Sequence, residues 1–203
     1  MSLPVITISR EYAAGGHMIA AALSEQLGIP FYDRDFVRRT AEDSGYAEED
    51  IEREGERMSP GGQLLNTFLS GAVSYNSSYD GIYEAQKKVI LSLAASPCII
   101  VGRCADHILQ EAGIPAFNIY LYADKPFRLQ YAAKVRAEEG VKMTERELDR
   151  YIDRQDMLRS TYYRQYTGAD MGSCRNYDIC LNVGAIGPER CVDVLMEILL
   201  PYR

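Results

Sequence analysis

A β-branched run from Leu3 to Ile8 leads into Ser9-Arg10-Glu11-Tyr12-Ala13-Ala14-Gly15-Gly16, and then into a helical stretch from Met18 to Leu27. Gly28-Ile29-Pro30 stops that helix, and Phe31-Tyr32-Asp33 reads as a brief second strand. Strand, glycine loop, helix, strand is the opening of a βαβ unit. Parallel strands need a crossover, and short continuous apolar strands suit a sheet covered on both faces. This one order narrows the fold more than any other feature of the chain.

The later segments continue the alternation. Residues Asp35 to Met58 are strongly polar with helical spacing, Ser59-Pro60-Gly61-Gly62 reads as a break, and Leu64 to Tyr79 reads as a mobile insertion. Gly81 to Ala95 is helical, with Ile82, Ala85, Val89 and Leu93 on one stripe. Cys98 to Val101 is a buried strand ending at Gly102-Arg103, and Phe117 to Tyr122 is another. Lys125 to Tyr166 is a charged helical region interrupted near Gly140; Tyr177 to Asn182 is the last strand, and Pro188 to Leu200 an amphipathic closing helix. The expected architecture is a three-layer α/β/α fold with a five-stranded parallel sheet, in which ligands sit at the carboxyl ends of the strands. With 203 residues and no linker composition, one domain spans 1–203.

Acidic residues outnumber basic ones 29 to 22, a net charge of -7, which argues against broad nucleic-acid coating but leaves room for a local basic pocket. The five cysteines, Cys98, Cys104, Cys174, Cys180 and Cys191, form no CxxC pair, and neither a zinc site nor a disulfide framework is expected. Cys98 and Cys180 lie in apolar runs and read as core residues. No leader segment and no membrane-spanning run is expected, so the reading is a cytoplasmic protein with no membrane partner.

A phosphate loop needs inward-pointing backbone N–H groups at a helix N-terminus. Arg10 to His17 has the length and position of GxxxxGK[ST], with Gly15 at the second glycine. Arg10 stands at the first glycine, Gly16 at the lysine and His17 at the hydroxyl residue. Arg10 would restore part of the lost charge as a fork of donors, alongside the backbone of Ala13, Ala14, Gly15 and Gly16. His17 either caps the turn or donates to phosphate when protonated.

Three blocks carry a family resemblance: Ile6 to Gly16 followed by Gly28 to Asp33, Cys98 to Leu109, and Tyr162 to Gly168 with Asn176 to Asn182. In this order they resemble the cytidylate-kinase-like family, the P-loop nucleoside monophosphate kinases, here as a branch with a degenerate Walker A loop. The resemblance implies a helical acceptor-side insertion over 35–85 and a lid-like region over 125–166. By position, Asp33 matches an aspartate near substrate and metal, Arg39 an arginine that meets the acceptor, and Arg103 the arginine of a Gly-Arg-Asp motif. The aspartate of that motif is displaced to Asp106. Asp153 to Arg159 resembles the lid stretch, implying that Arg154 and Arg159 clamp the transferring phosphoryl group. Asp156 would hold an acceptor sugar or orient an arginine, and Tyr163 shares the face of Arg159 at helical spacing. Arg150 and Arg164 read as solvated ion-pair partners.

The implied activity is an ATP-dependent phosphotransferase acting on CMP, dCMP or a related small acceptor, with ATP and Mg²⁺ as cofactors and Asp33 near the metal. Arg10, Asp33, Arg154 and Arg159 are the expected catalytic residues, and the protein is expected to be a monomer or homodimer. The missing lysine keeps two alternatives: a nucleotide-binding module without turnover, and a kinase for a different small molecule.

Overall fold

A computed structural model of the chain describes residues 4–33, 45, 47, 51, 55–64 and 78–202. Five strands are parallel in the order β2-β3-β1-β4-β5: β1 Val5–Arg10, β2 Phe31–Tyr32, β3 Ile99–Val101, β4 Ala116–Tyr122 and β5 Ile179–Asn182. The helices are α1 Gly16–Leu27, α2 Ser78–Leu93, α3 Ala105–Glu111, α4 Lys125–Glu138, α5 Glu145–Thr167, the short α6 Val183–Ile186 and α7 Pro188–Leu199.

Alternation along the strands separates two cores, because successive side chains point to opposite faces. Ile6, Ile8, Ile99, Val101, Ile119 and Leu121 pack on one face with Ile19 and Leu23 of α1 and Val192, Leu195 and Leu199 of α7. Val5, Ile100 and Tyr120 belong to the other core, with Ile90 of α2, Ile108 of α3 and Tyr162 of α5. Thr7, Ser9 and Arg10 are the buried polar residues of β1, and the Thr7 hydroxyl donates to Asn118 Oδ1 at 2.7 Å across the β1–β4 pair.

The charged region is two helices broken around Gly140, whose φ of 76° ends α4 in a conformation that suits glycine. A capping box opens α5: Thr144 Oγ1 accepts from the Glu147 N–H at 3.3 Å, and Glu147 Oε2 accepts from the Thr144 N–H at 2.8 Å. Ala132, Leu148 and Ile152 join the two helices and pack against Tyr12 and Ala13 of the loop after β1.

One expected break is a helix start. Residues 60–64 are helical, and Ser59 accepts from the Gly62 N–H through Oγ at 3.0 Å and from the Gln63 N–H through its carbonyl at 2.9 Å. Serine before proline is a cap followed by a first helical position, which the glycines of this segment obscured. Of the rest of the 35–85 insertion, residues 45, 47, 51, 55–58 and 78–85 are described; Arg39 lies outside the described residues, as does most of the segment read as mobile.

Candidate active site

Both strand orders around β1 diverge at its carboxyl end, and the loop from Arg10 to Gly16 occupies that point. Its backbone departs from ordinary conformations: Ala13 has φ 61° and Gly15 φ 81°, with Gly15 at the N-cap of α1. Gly15 O accepts from the Ile19 N–H at 3.0 Å. The first N–H groups of a helix precede its first in-helix bond, the geometry in which a helix N-terminus meets an anion. The turn after β3 is stranger. Gly102, Arg103 and Cys104 take φ values of 77°, 62° and 54° in succession. Left-handed geometry costs a non-glycine residue about 1–2 kcal/mol, so the fold maintains this turn against local preference.

The two turns face one cleft of about 750 Å³, a size that suits a nucleotide. Arg10, Gly15, Gly16, His17, Asp33, Glu56, Arg103 and Arg159 are among the residues that line it. Among the described residues, no lysine lines it. Arg10, Arg103 and Arg159 are each 8% exposed. The Arg10 and Arg159 side chains and the Arg103 backbone approach a residue the sequence reading missed, Glu56. Arg10 Nη1 donates to Glu56 Oε1 in a very short pair, and Nη2 donates to Oε2 at 3.2 Å. The Arg103 N–H donates to Glu56 Oε1 at 3.3 Å, and Arg159 Nε lies 3.8 Å from Oε2.

The electrostatics follow from this crowding. Burial alone would raise the Glu56 carboxyl, but Arg10 and then Arg159 pull it well below the usual carboxylate range. Burial lowers Arg159 to about 10, helped by repulsion from Arg10. Burial likewise lowers Arg103, whereas for Arg10 the attraction of Glu56 and Asp33 outweighs burial and raises it. Asp33 Oδ2 pairs with His17 Nδ1 at 2.9 Å, and Oδ1 lies 3.9 Å from Arg10 Nη2. Burial opposes ionisation of Asp33, yet the His17 bond and Arg10 carry its pKa below the ordinary value. His17 thus pairs with Asp33 at the start of α1, whose N-cap is Gly15.

A second missed residue fixes the loop. Arg128 of α4, 6% exposed, donates through Nε to the Tyr12 carbonyl at 2.9 Å, and its Nη1 lies 2.9 Å from Glu11 Oε2. Its Nη2 donates to Asp156 Oδ2, while Asp156 Oδ1 accepts from the Tyr12 N–H at 2.7 Å. Asp156 thus braces the loop from outside the cleft lining and orients an arginine, Arg128. An aromatic chain continues the wall: Arg136 lies over Tyr151 at 4.3 Å, Tyr151 meets Tyr12 edge-on at 5.4 Å, and Arg159 lies 5.6 Å over Tyr12.

Like Asp156, the expected site residues Ala14, Arg154, Asp106 and Tyr163 are not among the residues lining this cleft. Arg154 is exposed on α5, because five residues of helix place it about 140° round from Arg159. Asp106 and Tyr163 are bonded to each other, the tyrosine hydroxyl donating to Oδ2 at 2.7 Å, and both line a separate cavity of about 430 Å³. Arg164 pairs with Asp170 at the surface, as a solvated helix residue does.

Oxygen donors for a metal are sparse. Among the described residues there is no group of three or more His, Cys, Asp or Glu able to hold one. A Mg²⁺ that arrives with nucleotide phosphates keeps most of its shell as phosphate and water and needs one or two carboxylates. Asp33, ionised and beside the loop, fits that lesser role.

A parallel sheet with a phosphate-type loop at its switch point, and buried arginines converging on the loop, defines a P-loop kinase-like protein. The chain belongs to the cytidylate kinase-like family, whose model matches residues 5–185. It is 28% identical over 105 residues to a cytidylate kinase of Halorubrum lacusprofundi, covering 50% of this chain and 55% of that one, so the match spans about half the relative's length. A cytidylate kinase of Thermoplasma volcanium is 23% identical over 193 residues, covering 95% of this chain and 89% of the relative. The fold is shared with shikimate kinase from Bacteroides thetaiotaomicron, at TM-score 0.53 and 15% identity over 98% of this chain and 99% of that one. Among the described residues no helix is long and apolar enough to cross a membrane.

Proposed function

We propose that this protein is an ATP-dependent phosphotransferase that moves the γ-phosphate onto CMP, dCMP or a closely related small acceptor in the cytoplasm. One observation carries the reading: three buried arginines, Arg10, Arg103 and Arg159, line the same cleft as the loop that opens α1. Buried arginines on a glycine loop are suited to an anionic ligand, and phosphoryl transfer is chiefly positioning plus charge stabilisation.

In this scheme the backbone of Gly15, Gly16 and His17 holds the donor β-phosphate, and Arg10 supplies charge that the loop lacks without a lysine. Asp33 contributes to Mg²⁺, which neutralises phosphate charge when bound. Arg103, with Arg39, meets the acceptor phosphate, and Arg159 stabilises charge on the transferring group. Asp156 and Arg128 keep the loop in register. Arg154, exposed on the far side of α5, drops out of the scheme.

The test is ADP release from ATP or GTP in the presence of nucleoside monophosphates and small alcohols. Release that depends on CMP or dCMP, and is abolished in Arg159→Ala, is the expected result. Release with only a different acceptor would move the protein to another kinase activity. A second reading, nucleotide binding without turnover, is favoured by the pairing of Arg10 with Glu56 and by a cleft lining without lysine among the described residues. Tight nucleotide binding with no acceptor-dependent ADP release would establish it.

A further inference from the structure

We propose that Arg10, Arg103 and Arg159 form one site for a phosphoryl group, and that the carboxylate of Glu56 is its resident occupant, displaced when phosphate enters. The proposal deepens the phosphotransferase reading and rests on it. Glu56 presents two oxygens to the two Nη groups of Arg10, accepts from the Arg103 N–H at 3.3 Å and approaches Arg159 Nε at 3.8 Å. Two parallel N–H bonds from one guanidinium are how arginine grips either a carboxylate or a phosphate. The side chain of Glu56 therefore stands where a phosphoryl group would be gripped.

Two glycines make room for the pair itself. A Cβ on Gly102 would collide with both the Glu56 carboxylate and Arg10 Nη1, and a Cβ on Gly16 would lie 3.0 Å from Arg10 Cγ. Glu56 and all three arginines line the open cleft, so the occupied point is reachable by a ligand.

The pairing also explains how three buried arginines persist without ligand. An uncompensated buried charge is strongly destabilising, and Glu56, with Asp33 beside Arg10, offsets part of theirs until a stronger anion arrives. Glu56 holds the paired Nη1–Nη2 face of Arg10, so a phosphate gripped on that same face competes with it, and their like charges repel. A dianion can outcompete a carboxylate for these donors where a monoanion does not, so the exchange favours phosphoryl groups over carboxylate ligands. Glu56 is ionised throughout the neutral range, so the competition is always present.

The experiment is equilibrium titration with pyrophosphate of the wild-type protein, Glu56→Gln and Glu56→Asp, each with a circular dichroism spectrum. Glu56→Gln removes the competing charge and keeps the shape, and is expected to bind about tenfold more tightly, the scale of one charge-assisted bond. Glu56→Asp retracts the carboxylate by one methylene and is expected to fall between the two. Unchanged or weaker binding by folded Glu56→Gln would overturn the proposal, because Glu56 would then be a fixed partner of Arg10. If Glu56→Gln does not fold, Glu56→Asp decides by the same sign. Pyrophosphate binding to none of the three proteins removes the phosphate site and the phosphotransferase reading together; binding without tightening removes only the exchange.

Discussion

The Cγ of Arg10 lies 3.0 Å from the position a Cβ on Gly16 would occupy, and its Cδ lies 3.3 Å away. Two of the three departures from the Walker pattern are thus in contact with each other. A long side chain at the first glycine position crosses the loop and lies over the lysine position, where a side chain would press against it.

Restoring the missing lysine alone is therefore expected to harm the protein. Gly16→Lys should cost about 1–3 kcal/mol through overpacking against Arg10. The double change Arg10→Gly with Gly16→Lys should recover part of that loss, with a coupling of about 1–2 kcal/mol. Denaturant unfolding of the four members of the cycle measures it, and additive effects would show that the two positions are independent.

Two arginines of α5 should separate cleanly. Arg159→Ala is expected to lower kcat/KM about 10³-fold, the scale of a lost phosphoryl clamp. Arg154→Ala, at an exposed position, should change activity less than about twofold and stability by less than about 0.5 kcal/mol. Steady-state kinetics of both variants decide the matter, and equal losses would place Arg154 back in the site.

Arg128 should matter for the loop more than its absence from the cleft suggests. Arg128→Ala leaves Asp156 and Glu11 without their buried cation and is expected to destabilise by about 3 kcal/mol. The measurable signature is faster hydrogen exchange at the Tyr12 amide, whose bond to Asp156 depends on that carboxylate being held.

Acid stability follows from the lowered carboxylates. Glu56 and Asp33 both have folded pKa values below their ordinary ones, so their contribution is fully present above about pH 5 and is lost as pH falls through the folded values. Urea midpoints should thus be flat from pH 5.5 to 8 and fall steeply below pH 4. Glu56→Gln should start lower by about 2–4 kcal/mol and show a shallower acid decline. An unchanged slope in that variant would assign the acid sensitivity elsewhere.

Much of the frame was legible in the chain. The five apolar runs became the five strands, with boundaries moved by one or two residues, and the opening around Arg10 to Asp33 landed at the switch point of the sheet. Local patterns sufficed there, because period-two and period-3.6 burial are written in neighbouring residues. The Ser59-Pro60 helix start was misread because glycines followed a sound cap. Glu56 was invisible for a different reason: it lies in the acidic segment Glu48 to Arg57, where nothing local separates a buried carboxylate from a solvated one.

The sequence by itself determined an α/β sheet, a glycine loop between β1 and α1, and the arginines brought near that loop. Only the tertiary structure decided which charges meet. Arg10 and Glu56 are 46 residues apart, Tyr12 and Asp156 are 144 apart, and Arg154 and Arg159 differ by half a helical turn of facing. Charge pairing acts through space over a few ångströms, while sequence patterns record only what is near along the chain. The altered loop is therefore an arginine site that keeps its own carboxylate, a property written in no single stretch of residues.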